Sequence, residues 1–175
     1  MLNSKPNNKK YNQGNFIPIN KDKVIKLNNQ GGIFYRSSWE KIIMQWLDTK
    51  PEVIMWGSEN LRIPYQMTHF ENGDANVKEH CYYPDFYYEM RSADGVLKQI
   101  VVEVKPMKEY NMVLALNEGR LTVPEDKGKK LKNFEYDLKM AYKNKNKWET
   151  MIQWCNKKGY EFIIITEEHL KKFNV

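Results

Sequence analysis

The sequence predicts a single α/β domain, a mixed sheet flanked by helices. Three observations carry this. "RSSWEKIIMQWLD" places Trp39, Ile42, Ile43, Trp46 and Leu47 at i, i+3, i+4, i+7 and i+8, the stripe of a helix packed on one side. "YYPDFYYEM" and "QIVVEVKP" are strand-forming runs separated by Asp94-Gly95, a hairpin signal. A lysine-rich helical stretch over about 126–158 precedes the apolar strand "YEFIIIT".

Residues 1–33 are rich in Asn, Lys, Gly and Pro and read as an extended arm ending at Gly31-Gly32. Ser37 or Ser38 caps the first helix, and Lys50-Pro51 ends it. Glu40 falls at the edge of the apolar stripe, near the seam with whatever the helix covers. "EVIMWGSE" and "LRIPYQM" read as a meander, with Pro64 at an edge or bend. Strands at about 80–90 and 97–105 follow as antiparallel neighbours. Residues 106–125 read as a mixed connection. The helix after it is expected to break near Asn144–Asn146, to carry Trp148, Met151, Ile152 and Cys155 as its last stripe, and to stop at Gly159. "EEHLKKF" closes the chain as a short helix capped by Thr166.

The 175 residues suffice for one domain with a normal core, and 41% apolar content excludes a wholly disordered chain. Cys81 and Cys155 lack zinc spacing and read as free thiols. The start has no apolar segment of a signal peptide, and no run nears the ~20 apolar residues of a membrane span. A soluble, cytoplasmic protein is the expectation. No GxxxxGK loop is present, so no nucleotide cofactor is expected. His69, His80 and His169 are isolated and are assigned no chemistry. Trp148, Trp154 and the tyrosines of 82–88 read as core.

The net charge is +6, unevenly spread. Residues 1–33 hold six lysines against one aspartate, and residues 126–149 eight lysines against four acids. Two basic segments flanking a mildly acidic middle suit a polyanion such as DNA, held through its backbone. Lys9 and Lys10 in the arm, with Arg36 and Arg62, are candidate phosphate contacts.

Strand alternation sets the remaining chemistry. Ile100, Val102 and Val104 face one side of their strand; Gln99, Val101, Glu103 and Lys105 face the other. Pro84 denies a ladder donor and bends the partner strand, so that Asp85 meets Glu103 across the hairpin. Adjacent carboxylates repel unless a cation lies between them. Mg²⁺ suits a site of few carboxylates, a backbone carbonyl such as that of Val104, and waters. Glu40 approaches from the helix edge, and Glu59 is a lesser candidate for support.

Pro84-Asp85 followed by Glu103-Val104-Lys105 resembles the PD-(D/E)XK nuclease motif, its acids 18 positions apart across one hairpin. "FYRSSWEKIIMQWLD", "WGSENLRIPY", "YYPDF", "VEVKP" and "KWETMIQWCNKKGYEFIIITEEHL" fall in the order of a compact branch of that superfamily. That branch resembles the TnsA catalytic domain and includes the head-completion proteins of T4-like phages. The similarity covers about residues 34–172. It implies a restriction-endonuclease-like domain over 34–175, after a basic arm of 1–33 and with a variable lysine-rich insertion at 106–145. It implies Asp85 and Glu103 as metal ligands aided by the Val104 carbonyl, Glu40 as the first-helix acid acting directly or through water, and Lys105 as the catalytic lysine. It further implies Mg²⁺, with Mn²⁺ as a substitute, and an endonuclease hydrolysing packaged or end DNA in head completion. Double-stranded DNA and phage portal or neck proteins are the implied partners. The implied location is the host cytoplasm during assembly, with retention in the virion. Two alternatives stay open: a non-catalytic neck or portal protein holding DNA or a protein ring, and a TnsA-like transposase subunit.

Overall fold

The computed structural model describes residues 12–71, 74–125 and 128–173. Its centre is a four-stranded sheet in the order β3 (Val53–Ser58), β6 (Phe86–Arg91), β7 (Leu97–Val104), β8 (Glu161–Ile165). The first three pair antiparallel, and β7 with β8 parallel. Parallel neighbours need a crossover. Here it is formed by α2 (Met107–Asn117) and α3 (Lys129–Lys158). The chain ends with α4 (Glu167–Leu170). A mixed α/β sheet flanked by helices is thus the architecture.

Alternation along β6 and β7 builds two cores. Phe86, Tyr88, Ile100 and Val102 pack with Ile43, Met44 and Leu47 of α1 (Ser38–Thr49). Tyr87 and Val101 pack on the opposite face with Met151 and Cys155 of α3. Each such fully buried side chain contributes roughly 1.5–3 kcal/mol of hydrophobic stabilisation. The β6–β7 turn closes as expected, with the Gly95 N–H donating to the Ser92 carbonyl at 2.8 Å. Gly159 at φ 72 ends α3, and Cys81 and Cys155 are both free.

Four local expectations are corrected. The segment from Asn12 to Gly32 is laid on the domain rather than extended from it. β1 (Gly14–Phe16) pairs with β2 (Ile33–Tyr35), and Phe16 packs on the first core. Buried Asp48 of α1 accepts from the Ile19 N–H at 2.7 Å and the Asn20 N–H at 3.0 Å. The meander does not form: β3 pairs with β6, while β4 (Ile63–Glu71) pairs with β5 (Asp74–Tyr82) in a separate two-stranded ribbon. Glu59, at φ 49, turns the chain between β3 and β4. Residues 107–117 are helical because they pack against α3, not because of a marked apolar stripe: Val113 alone is fully buried. Finally, α3 runs unbroken through Asn144, whose buried side-chain amide donates to Glu109 Oε2 at 3.2 Å. A satisfied buried amide outweighs asparagine's weak helix preference.

Candidate active site

Asp85 stands where β6 has not yet begun. Continuing the register from Phe86↔Val102 would bring Pro84 opposite Val104. Proline has no N–H to offer that carbonyl. The Asp85 side chain takes over the other half of the missing ladder step: its Oδ2 accepts from the Val104 N–H at 2.6 Å. The Asp85 carbonyl accepts in turn from the Glu59 N–H at 3.2 Å. A non-glycine residue at positive φ costs on the order of 1 kcal/mol. Here that conformation aims the Glu59 N–H at Asp85.

Glu103 lies beneath, with only 3% of its surface exposed. Its Oε2 accepts from the Tyr82 hydroxyl at 2.5 Å, and its Oε1 meets Lys105 Nζ at 3.0 Å. Burial, and then the charge of Glu103, push the Asp85 carboxyl up to about 7, against the pull of the Val104 N–H and Lys105. Burial by itself would lower Lys105, but the charges of Glu103 and Asp85 outweigh it and hold the ammonium above its ordinary range. Tyr82 is raised by burial and by Glu103, so it keeps the proton it donates.

Glu40 is tied into the start of α1. Its N–H donates to Ser37 Oγ at 3.1 Å, while its carboxylate accepts from Ser37 Oγ and the Arg36 N–H, each at 2.9 Å. Glu40, Asp85, Val104 and Lys105 nevertheless line one open cleft of about 500 Å³, with Asn12, Trp39 and Pro106. Among the described residues no three acidic, His or Cys side chains converge closely enough to cage a cation. A cation here would have the carboxylates of Asp85 and Glu103 and the Val104 carbonyl on offer, all hard oxygens, the remainder left to water. That is the pattern suited to Mg²⁺. Burial first, and the neighbouring Glu103 second, disfavour an ionised Asp85; a divalent cation in the cleft would offset both, and in that sense the residues fit one.

The other expected contacts scatter. Arg36 pairs with Glu59 at the rim and lies over the Phe34 ring at 6.0 Å. Arg62 is exposed just before β4 and outside the cleft lining. Lys9 and Lys10 lie outside the described residues. Sequence reasoning missed Tyr82, although it stands three residues before Asp85 in the same run. It also missed Lys147 of α3, whose Nζ sits 4.9 Å from the Tyr82 ring centroid. A larger, mainly apolar cavity of about 770 Å³ lies elsewhere, between α2, α3, β8 and α4.

Two comparisons with known proteins bear on this site. The family model described as "TnsA-like endonuclease N terminal" matches residues 50–167, a span holding Asp85, Glu103 and Lys105 but not Glu40. The chain is also similar to a head completion nuclease of Enterobacteria phage T4. The two are 33% identical over 139 residues, covering 79% of this chain and 81% of that protein.

Proposed function

This chain belongs to the TnsA-like endonuclease family, and from that premise we propose that it is a divalent-metal-dependent DNA endonuclease of phage head completion. The observation that carries the reading is that Asp85 and Lys105 line one open cleft, with buried Glu103 paired to Lys105 behind them. Similarity to a head completion nuclease supports the biological setting.

In this reading Asp85, Glu103 and the Val104 carbonyl hold Mg²⁺, with Mn²⁺ as a substitute, and Glu40 adds a contact through water. When bound, the ion lowers the pKa of a coordinated water and neutralises charge on the reacting phosphate. Lys105, charged beside Glu103, would grip the scissile phosphate or orient an attacking water. Tyr82 holds Glu103 in one orientation. Trp39 and the start of α1 wall the cleft, and Arg36 stands at its rim. Double-stranded DNA is the proposed substrate, and portal or neck proteins the proposed partners during assembly. We further propose a nuclease domain over 34–175, against which Asn12–Gly32 is laid. No helix among the described residues is long and apolar enough to cross a membrane.

A nicking assay on supercoiled and linear DNA tests the reading. Wild type cleaves with Mg²⁺ or Mn²⁺ and is silent with chelator, while Asp85→Asn and Lys105→Ala are silent throughout. Wild-type protein inert on every DNA form with either metal would overturn it.

A further inference from the structure

α3 carries lysines at 139, 143 and 147, a strict four-residue spacing that sets them in one row on the helix surface, about 6 Å apart in rise. Like charges at this spacing repel and weaken a helix. Lysines near them are answered by acids: Lys145 pairs with Glu149 on the opposite side of α3, and Lys108 of α2 pairs with Asp137. Among the described residues Lys139, Lys143 and Lys147 make no ion pair. The row is therefore a strip of positive charge with no ion pair of its own among the described residues.

Its position gives it direction. Lys139 is exposed, Lys143 and Lys147 are half-buried, and the row ends against Tyr82, behind the residues that line the cleft. Lys147 Nζ lies over the Tyr82 ring, and the Tyr82 hydroxyl is bonded to Glu103. Burial, with the charges of Lys105 and Lys143, holds Lys147 below the ordinary lysine range, against the pull of Glu103 and Asp85; a phosphate beside it would restore the charged form. No ion pair or hydrogen bond ties Lys147 to Glu103 or Asp85 among the described residues, which leaves its ammonium available to a substrate anion. The rise between its lysines is comparable to the step between successive phosphates of a strand.

We propose that Lys139, Lys143 and Lys147 form a phosphate-tracking row that leads a DNA strand along α3 to the Asp85–Glu103 site, with Lys147 holding the phosphate nearest the reacting bond. The proposal rests on the nuclease reading only for where the strand ends; the row itself is a claim about binding. It replaces Arg36 and Arg62 as the principal backbone contacts.

The test is the salt dependence of binding by full-length protein to a fluorescent 30-base-pair duplex, and in parallel to one of its strands, with chelator present. Each phosphate neutralised contributes about −0.9 to the slope of log K against log salt on duplex DNA. Lys139→Gln/Lys143→Gln is expected to flatten the slope by about two and Lys147→Gln by about one, with Lys147→Arg restoring it. Lys145→Gln, the same charge change on the opposite face, is expected to leave the slope within half a unit. Unchanged slopes in the double variant, equal flattening by Lys145→Gln, or no binding by wild type to either probe would each overturn the row. If Lys147→Gln does not fold, as judged by circular dichroism, the double variant decides. The two DNA arms tell whether the row tracks a strand within a duplex or a free one. Wild type that binds with the expected slope but never cleaves keeps the row and sinks the nuclease reading. Cleavage with row variants of unaltered slope does the reverse.

Discussion

At the scale of single residues, the site is held under electrostatic tension. The Asp85 carboxyl, raised to about 7 by burial and by Glu103, titrates near 3.8 when unfolded. Between those values the folded protein binds the extra proton, so its stability falls as pH rises from about 4 to 7 and then levels off. Asp85→Asn keeps an acceptor for the Val104 N–H and removes the repulsion. In metal-free buffer at pH 8 it should be about 1–2 kcal/mol more stable than wild type, the advantage vanishing by about pH 4; urea melts across pH measure this. Mg²⁺ should raise the melting temperature of wild type and leave Asp85→Asn unmoved. Tyr82→Phe takes one donor from buried Glu103. A stability loss of about 1–3 kcal/mol is expected by thermal melting. Weakening of Mn²⁺ binding by about 10-fold or more is expected by calorimetry.

At the scale of elements, the site depends on how strands and helices end. Pro84 stops the ladder one step short, Ser37 caps α1 through Glu40, and α3 stops at Gly159. The segment before β2 is held by Asp48, a buried acid whose oxygens serve two backbone N–H groups. Asp48→Ala leaves those donors unpaired and should cost about 2–4 kcal/mol. Limited proteolysis should then cut the segment from Asn12 to Gly32 much faster than in wild type, while the α3 region stays protected. Equal cutting rates would mean that the strand pair β1–β2 and the packing of Phe16 hold the segment without Asp48.

At the scale of the whole molecule, one sheet serves two cores. Val101 and Val102 are both fully buried, but in different clusters on opposite faces. Val101→Ala and Val102→Ala should each cost about 2 kcal/mol and add nearly fully in the double variant, since they share no packing partner. Unfolding should remain a single transition, because β7 belongs to both cores. Circular dichroism melts of the three variants check both points.

The hairpin, the α1 helix, the closing strand and the proximity of Asp85 to Glu103 were legible because period, turn residues and chain proximity are local properties. Val101 and Val102 announce a two-faced strand by alternation, and Asp94-Gly95 announces its turn. What local pattern does not encode is partner choice. β3 and β4 read as neighbours, yet β3 joins β6 because its apolar residues complete the α1-facing core. Asn144 read as a break, yet Glu109 from another helix satisfies it. Asp48 and Lys147 carry no local sign of their partners. Only folding brings Ile19 and Asn20 to the one and Tyr82 to the other. The sequence by itself therefore determined the kinds of the strongly patterned elements and the carboxylate pair, since each follows from residue order along a short stretch or one hairpin. The tertiary structure alone decided which groups surround that pair, because burial, charge coupling and the answering of buried donors arise between segments distant along the chain.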